Sequence, residues 1–199
     1  MAKKAYERKD KFYKKAKDEG FVARSAYKII EFDRKYKVFE PGNVVIDLGC
    51  APGGWLQVAQ KRMQERGLLI GLDLEKIDIG LSTHTLFLQA DFLSEMALTW
   101  LQEKAPQGAD WILSDMAPHL TGIRFKDQAQ MTELCVMAAQ FCRTSLKKGG
   151  SFIFKYFPNP DLESLKKELQ KEYQRVETVK SEATRTSSNE FYMLCHKKK

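Results

Sequence analysis

The chain has 199 residues and a formal net charge of +7, with 33 lysines and arginines against 26 aspartates and glutamates. This length favours one well-buried domain and is short for two. No apolar run approaches the roughly 18 residues that a membrane span requires, so we expect no membrane association. The N-terminal residues are charged and include no apolar segment, which argues against a secretory signal and predicts a cytoplasmic protein.

The cysteines and histidines argue against disulfides and metal sites. Cys50, Cys135, Cys142 and Cys195 form no C-x-x-C pair. Cys135 and Cys142 lie on one predicted helix at a spacing that places their Cα atoms about 10 Å apart, beyond the reach of a disulfide. The three histidines lack the spacing of metal ligands. We therefore expect a reduced protein without a metal ion.

Positive charge is concentrated at the two ends of the chain. Residues 1–40 contain 13 lysines and arginines against 7 acids, and residues 164–199 contain 9 against 5. Residues 41–163 contain 11 against 14. Lysine-rich ends are often only solvated faces, but basic flanks around a slightly acidic centre favour a nucleic acid partner and a cationic ligand in the middle. We divide the chain into a basic N-terminal extension, residues 1–22, and one domain, residues 23–199.

The predicted elements alternate between helix and strand. Residues 1–20 are predicted to form a basic arm or a short helix, and the next helix follows Ser25, a candidate N-cap, and carries Lys28. The predicted strands are residues 44–48, 68–72, 85–89, 110–114, 151–154, 175–179 and 190–195, and the helices between them are residues 55–65, 94–104, 127–146 and 161–173. Residues 147–150 are predicted to cap the helix before them. This alternation predicts an α/β sheet with helices on both faces.

A glycine-rich loop follows the first strand. Gly49, Gly53 and Gly54 allow a sharp turn and the close approach of a ligand to the backbone. Dinucleotide-binding loops require the spacing G-x-G-x-x-G, which is absent here. Asp47 and Pro52 would crowd a diphosphate, whereas an acid suits a cation such as S-adenosylmethionine. A structural turn without a ligand is the alternative, because glycine-rich turns are common.

Acids and a lysine stand at the ends of the next strands. Asp73 is suited to bind the two hydroxyls of a ribose, which belongs to NAD and S-adenosylmethionine alike. Asp91 is suited to bind an adenine amine or, alternatively, to cap the following helix. Asp115 follows the fourth strand and is expected to face the loop at Gly53. Lys155 ends the fifth strand, and we regard it as the strongest catalytic candidate, with an exposed strand end as the alternative.

Five motifs resemble those of one known family. They are Arg24-Ser25-Ala26-Tyr27-Lys28, Asp47-Leu48-Gly49-Cys50-Ala51-Pro52-Gly53-Gly54-Trp55, Ser114-Asp115-Met116-Ala117-Pro118, Gly149-Gly150-Ser151-Phe152-Ile153-Phe154-Lys155 and Ser188-Asn189-Glu190-Phe191-Tyr192. With these motifs in order from Arg24 to Leu194, the chain resembles the FtsJ/RrmJ family of RNA ribose 2′-O-methyltransferases. His119 and Tyr156-Phe157-Pro158 depart from the usual pattern, which bears on the substrate rather than on the reaction.

The resemblance implies a fold, a reaction and a set of site residues. The fold is a Rossmann-like methyltransferase with a seven-stranded, mostly parallel sheet of order 3-2-1-4-5-7-6 and an antiparallel last strand in sequence. The catalytic residues would be Lys28, Asp115, Lys155 and Glu190. The cofactor S-adenosylmethionine would be bound by Gly53, Trp55, Asp73, Asp91 and Asp115. The implied partner is RNA, a uridine of 23S ribosomal RNA within the large subunit, and we expect a monomer.

The chemistry leaves two roles open for Lys155. A ribose hydroxyl is a weak nucleophile, so the enzyme must align it with the methyl group and help its proton leave. Lys155 can accept that proton only in its neutral form, which nearby Lys28 and partial desolvation favour and which Asp115 and Glu190 oppose. Alternatively, Lys155 stays charged and positions the hydroxyl.

Three other functions are compatible with parts of the sequence. A ribose methyltransferase of the tRNA anticodon loop has a very similar Arg-Ser-Ala-Tyr-Lys start. A non-catalytic RNA-binding factor with the same fold would not need the paired lysines and acids. An NAD-dependent dehydrogenase is disfavoured by the glycine spacing. Methyl transfer to separate RNA pools distinguishes the first two alternatives from the main prediction.

Overall fold

Helices and strands alternate along the chain in the computed structural model, which describes residues 11–119 and 121–199. The helices are α1 (Lys11–Asp18), α2 (Ala26–Tyr36), α3 (Gly54–Met63), α4 (Glu95–Lys104), α5 (Arg124–Ser145) and α6 (Leu162–Glu172). The strands are β1 (Val44–Leu48), β2 (Leu68–Asp73), β3 (Thr85–Gln89), β4 (Ala109–Ser114), β5 (Leu146–Tyr156), β6 (Tyr173–Val179) and β7 (Phe191–Lys198). The bounds of β1 and β3 agree with the prediction, and the other elements differ from it at their ends.

The strands form one sheet in the order β3-β2-β1-β4-β5-β7-β6. Strands β1 to β5 pair in parallel, whereas β7 is antiparallel to both β5 and β6. The predicted fold class and strand order are confirmed. The carboxyl ends of β1, β2, β4 and β5 therefore meet at one edge of the sheet, where ligands of open α/β sheets bind.

Successive residues of the central strands face opposite sides of the sheet, as the two-residue period of a strand requires. Ile46 and Ile112 pack in a core with α4, α5 and α6. Val45 and Trp111 pack in a second core with α2 and α3. Helices thus cover both faces, as predicted, and burial on both faces fixes the strand ends that carry the site.

One predicted helix cap is correct in position only, and the other is wrong. Ser25 is the N-cap residue of α2, but its backbone is helical and its side chain makes no capping hydrogen bond. Helix α5 ends at Ser145, and residues 147–150 belong to β5. The cation at the end of α5 is instead Lys198, which stabilises the negative end of the helix dipole. Its Nζ donates to three carbonyls, those of Cys142, Arg143 and Leu146.

Helix α1 packs against the body of the protein. The ring of Phe12 lies 5.5 Å from that of Tyr27, and Ala16 is buried in a small cluster with Tyr27 and Ala183. The short-helix alternative is therefore correct for residues 11–18. The remainder of the predicted arm, residues 1–10, lies outside the described residues, and the division of the chain at residue 22 stays a prediction.

The cysteines lie in the interior, and all four are buried free thiols. Cys135 and Cys142 lie on the same helix, as predicted, and burial raises the pKa of Cys135 to about 12. Within the two described ranges, no helix is both long enough and apolar enough to cross a membrane.

Candidate active site

The loop between β1 and α3 lies at the carboxyl edge of the sheet and depends on two of its glycines. Gly49 has a φ of +70°, and a Cβ at that position would lie 2.2 Å from Cγ of Met116. Gly53 is the N-cap of α3 with a φ of +107°, and a Cβ there would lie 2.8 Å from Cδ1 of Ile79. A side chain at either position would meet both backbone strain and a steric clash.

A cavity of about 630 Å³ opens beside this loop. We call it the acidic cavity, because five of the residues that line it carry carboxylates: Asp73, Glu75, Asp91, Asp115 and Glu133. Its apolar lining includes Leu72, Leu74, Phe92, Met116, Leu134 and Met137. Among the described residues, no lysine or arginine lines it. The cavity therefore suits a cationic ligand with an apolar part better than a phosphate.

Asp73 and Asp91 also stabilise the backbone around the cavity. The carboxylate of Asp73 accepts hydrogen bonds from the N–H of Ala51 at 2.7 Å and of Glu75 at 2.8 Å. Asp91 accepts one from the N–H of Leu93 at 2.9 Å. The N-cap of α4 is Ser94, so the alternative that Asp91 caps this helix is wrong. Both acids line the cavity, as a ligand-binding role requires.

The four predicted catalytic side chains lie in one cluster, which we call the lysine–acid cluster. Nζ of Lys28 lies 2.7 Å from Oε1 of Glu190 and 3.4 Å from Oδ1 of Asp115. Nζ of Lys155 lies 3.2 Å from Oδ1 of Asp115 and also donates to the carbonyl of Asp115. Each lysine is only 8% exposed, although lysines are rarely buried unless they are paired. The exposed strand end considered for Lys155 is therefore wrong.

The hydroxyl of Tyr192 lies at the centre of this cluster, a position that sequence reasoning missed. It accepts a hydrogen bond from Nζ of Lys28 at 2.8 Å and donates to Oδ1 of Asp115 at 2.5 Å. It also lies 3.3 Å from Oε1 of Glu190. The available signal was spacing, because residues two apart in an extended segment face the same side and Tyr192 follows Glu190 by two.

Opposite charges hold the cluster together. Burial alone would raise the pKa of Asp115, but Lys155, Lys28 and the hydroxyl of Tyr192 together lower it below its ordinary value. Burial raises the pKa of Tyr192 well above its ordinary value, and the neighbouring Asp115 and Glu190 act in the same direction. At neutral pH, Asp115 is therefore a carboxylate and Tyr192 a neutral hydroxyl that donates to it.

Asp47 is also an acid, but its surroundings favour the neutral form rather than the charged form. It is 2% exposed, and its Oδ2 has no hydrogen-bond partner in the described part of the chain. Burial raises the pKa of Asp47 well above its ordinary value, and the charges of Asp115 and Asp73 raise it further. Asp47 thus favours the neutral form beneath the loop, while Asp115 remains charged at the surface of the cavity.

A second cavity, of about 810 Å³, adjoins the first. We call it the basic cavity, since five cationic residues line it: Arg24, Lys28, Arg124, Lys155 and Arg185. The acids in its lining are Asp127 and Glu190. Ala117 lines both cavities, and Asp115 lines the acidic one. The lysine–acid cluster therefore lies where the two cavities meet.

Gly53 and Trp55 line neither cavity. The indole of Trp55 is buried, and its Nε1 donates to the carbonyl of Ser25 at 2.9 Å. This bond ties α3 to the start of α2, the helix that carries Lys28. Direct contact of these two residues with a ligand remains a prediction. No group of three or more metal-binding side chains is found within the described ranges.

The sequence is similar to known methyltransferases over nearly its whole length. Residues 21–198 match the model of a family described as FtsJ-like methyltransferase. Ribosomal RNA large subunit methyltransferase E of Bdellovibrio bacteriovorus is 41% identical over 98% of this chain and 99% of its own length. The protein of the same name from Nitratidesulfovibrio vulgaris is 38% identical over 94% of this chain and 92% of its own length.

The fold is similar to that of a solved ribosomal RNA methyltransferase. The crystal structure from Plasmodium falciparum has a TM-score of 0.79 at 27% identity and covers 89% of this chain and 98% of that one. The family match includes every residue of the lysine–acid cluster and all seven strands of the sheet. Sequence and fold thus lead to the same conclusion: this chain belongs to the FtsJ-like methyltransferase family.

Proposed function

We propose that this protein transfers a methyl group from S-adenosylmethionine to the ribose 2′-hydroxyl of a uridine in 23S ribosomal RNA of the large subunit. The observation that carries the proposal is the position of the lysine–acid cluster between an acidic and a basic cavity. Such a boundary suits a reaction between a cationic donor and a polyanionic acceptor. The family supplies the reaction class, and the names of the relatives point to large-subunit ribosomal RNA.

The acidic cavity suits S-adenosylmethionine, which carries an ammonium, a sulfonium and an adenosine but no phosphate. We assign Asp73 to the ribose hydroxyls, Asp91 to the adenine amine and Asp115 to the cationic end of the donor. Each oxygen of the Asp73 carboxylate accepts one backbone hydrogen bond and has capacity for another. A dinucleotide would place its phosphates beside five carboxylates, which argues against the dehydrogenase alternative.

Hydrogen-bond capacity distinguishes the two lysines. Lys28 has three ammonium hydrogens and contacts three acceptors, on Glu190, Asp115 and Tyr192. Lys155 contacts two acceptors among the described residues, and both belong to Asp115. Its third hydrogen is thus left for a hydroxyl oxygen in the basic cavity, which Lys155 lines. We therefore assign Lys155 to the 2′-oxygen and Lys28 to the positioning of Asp115 and Glu190.

The charge of the cluster favours a positioning role for Lys155. Two ammonium and two carboxylate groups balance, and removal of a proton from Lys155 would leave a net negative charge in a buried site. When bound, S-adenosylmethionine would supply a methyl group on a positively charged sulfur, and its leaving group would be a neutral thioether. Lys155 aligns the attacking oxygen, and the hydroxyl proton passes to water once that oxygen is alkylated.

The substrate is tested with labelled S-adenosylmethionine and three RNA pools: large ribosomal subunits, free ribosomal RNA and bulk tRNA. We expect label on ribosomal RNA, at the ribose of a uridine, and none with Lys155→Ala. Label on tRNA alone would assign the chain to the anticodon-loop enzymes. No label on any pool despite measurable donor binding would favour a non-catalytic RNA-binding factor.

The role of Lys155 is tested by the pH dependence of kcat. A charged, positioning Lys155 predicts a kcat that changes little between about pH 7 and 9. A base that must first lose its proton predicts a rise of about tenfold per pH unit over that range. The second result would replace positioning by proton abstraction and leave the substrate assignment intact.

A further inference from the structure

An exposed aromatic ring stands beside the basic cavity and has no part in the mechanism above. Phe125 is 79% exposed and Ile123 is 64% exposed, although both side chains are large and apolar. Phenylalanine and isoleucine are usually buried. Exposed apolar groups that adjoin a functional cavity are candidates for a binding surface.

The position of Phe125 in α5 places its ring at the rim of the basic cavity. Phe125 is the second residue of this helix, after Arg124, which lines the cavity. Gln128 also lines the cavity and follows Phe125 by three positions. Residues three apart on a helix are neighbours on its surface, so Phe125 and Gln128 share one side of α5. Phe125 therefore borders the basic cavity, which Lys155 lines, although Phe125 is not itself one of the lining residues.

The backbone that carries the ring is held in place by Asp127. The carboxylate of Asp127 accepts hydrogen bonds from both N–H and Oγ1 of Thr121 at 2.7 Å and from the N–H of Gly122 at 3.1 Å. These bonds join the preceding loop to the first turn of α5. A ring on a fixed backbone loses less conformational freedom when it binds a partner.

The charge of the cavity indicates the kind of partner that meets the ring. Arg24, Arg124 and Arg185 come from three separate segments and line the same space. This arrangement attracts the phosphates of a nucleic acid strand. A strand with its backbone in the cavity presents unpaired bases to the rim, and bases stack on exposed aromatic side chains whatever their sequence.

We propose that Phe125 stacks on a base near the ribose that is methylated and so positions the RNA strand in the basic cavity. The inference rests on the proposed function, since it takes RNA as the occupant of this cavity. Phe125 is a positioning residue in this account, because it contacts the RNA and not the reacting atoms.

The first test measures binding of a fluorescein-labelled single-stranded RNA of about 12 nucleotides, a length within the range of such sites. We expect Phe125→Ala to weaken binding about tenfold and Phe125→Trp to retain it, because stacking needs an aromatic ring. Phe125→Leu, which is apolar but not aromatic, should behave as Phe125→Ala. Met96→Ala is the matched control, since Met96 is 58% exposed and lines neither cavity.

The second test uses the Phe125→Trp variant as its own probe. Stacking of a base on the introduced indole should quench its fluorescence when the RNA is added. The chain already has three tryptophans, so the wild-type protein gives the background signal. A purely structural role for the ring would not produce this quenching.

A third measurement connects the ring to the reaction. On large ribosomal subunits, Phe125→Ala should raise KM about tenfold and change kcat much less, because ground-state and transition-state binding lose the same contact. A normal RNA affinity and KM in Phe125→Ala, or full recovery with Phe125→Leu, would overturn the proposal. A raised KM without quenching by RNA would also overturn it, in favour of contact with a ribosomal protein.

Failure of this inference and failure of the proposed function give different results. If the wild-type protein labels large subunits and Phe125→Ala matches it in every measurement, only the stacking proposal fails. If RNA quenches the Phe125→Trp variant but no RNA pool is labelled, the binding surface stands and the methyl-transfer proposal fails.

Discussion

The two cavities that meet at the lysine–acid cluster are lined by residues of opposite charge. The acidic cavity is lined by five carboxylates and, among the described residues, by no lysine or arginine. The basic cavity is lined by three arginines and two lysines with two acids. The net charge of +7 conceals this contrast. The net charge of a chain therefore does not reveal the charge of each cavity, on which the choice of ligand depends.

Two acids of this region also differ in their charge state. Asp115 faces both lysines and keeps its charge, whereas Asp47 has an unpaired buried oxygen and favours its neutral form. Since burial acts on both, the partners decide the outcome. The difference between the acidic and the basic cavity can be tested by substitutions that affect one cavity and leave the other unchanged.

The largest effect is expected from Lys155→Ala. Removal of the ammonium that we assign to the 2′-oxygen should lower kcat about 100- to 1000-fold, the range for loss of one positioned donor at a reacting oxygen. Donor affinity, measured by calorimetry with S-adenosylhomocysteine, should change little, because Lys155 lines the basic cavity only. Lys148→Ala, an exposed change on the same strand, is the control. Loss of donor binding would show that the cluster supports both cavities.

The second expected effect concerns Tyr192→Phe, which removes a partly buried hydrogen bond to the charged Asp115. The loss should lower the free energy of unfolding by about 1–3 kcal/mol. It should also raise the pKa of Asp115. A depressed pKa gives stability that is present above the unfolded value and lost as pH falls through the folded value, so the variant should lose this stability at a higher pH.

Urea unfolding from neutral pH down to acid pH measures this shift. Tyr156→Phe is the matched control, because its hydroxyl bonds Thr178 at 2.9 Å and lies outside the cluster. If the free energy of unfolding of the variant falls at the same acid pH as that of the wild-type protein, Tyr192 does not stabilise the charged form of Asp115.

A smaller effect is expected from Arg124→Gln, which alters the basic cavity alone. If Arg124 contacts one phosphate, the slope of log affinity for RNA against log salt should fall by about 0.7 to 0.9. Donor binding should be unchanged. Arg66→Gln, an exposed change that lines neither cavity, controls for net charge. An equal change in both variants would mean that the basic cavity has no special part in RNA binding.

The smallest effect on activity is expected from Lys198→Met, far from both cavities. Loss of the cation that bonds three carbonyls at the end of α5 should cost about 1–2 kcal/mol of unfolding free energy. Transfer at a temperature where the variant is folded should be normal. Lys197→Met, on the exposed neighbour, should match the wild-type protein. A loss of activity without a loss of stability would contradict the prediction that Lys198 affects the stability of the fold and not the reaction.

Local sequence patterns predicted the sheet and the residues that end its strands. Asp73, Asp91, Asp115 and Lys155 were found because each follows a short apolar run, and parallel strands bring such ends together. The family resemblance added Lys28 and Glu190. Each of these predictions depended on adjacent residues in the sequence or on a motif. The fold places the resulting cluster at the edge of the sheet.

Contacts between distant residues could not be predicted in the same way. The bond between Lys28 and Tyr192 joins residues 164 positions apart, and the cap of α5 by Lys198 crosses more than 50. Nothing in the sequence indicated that Phe125 is exposed, because the exposure of a side chain depends on which residues of the folded chain pack against it. Such features follow from the assembled fold rather than from periodicity or local propensity.

If the donor and RNA bind as we propose, the shared position of Asp115 predicts that the two binding events are thermodynamically linked. Its carboxylate lines the acidic cavity and contacts both lysines of the basic cavity. Whatever factor a bound donor imposes on RNA affinity, RNA must impose the same factor on donor affinity. Methyl transfer turns a positive sulfonium into a neutral thioether, so the electrostatic part of this linkage differs before and after the reaction. RNA affinities measured with a cationic donor analogue and with S-adenosylhomocysteine give its size.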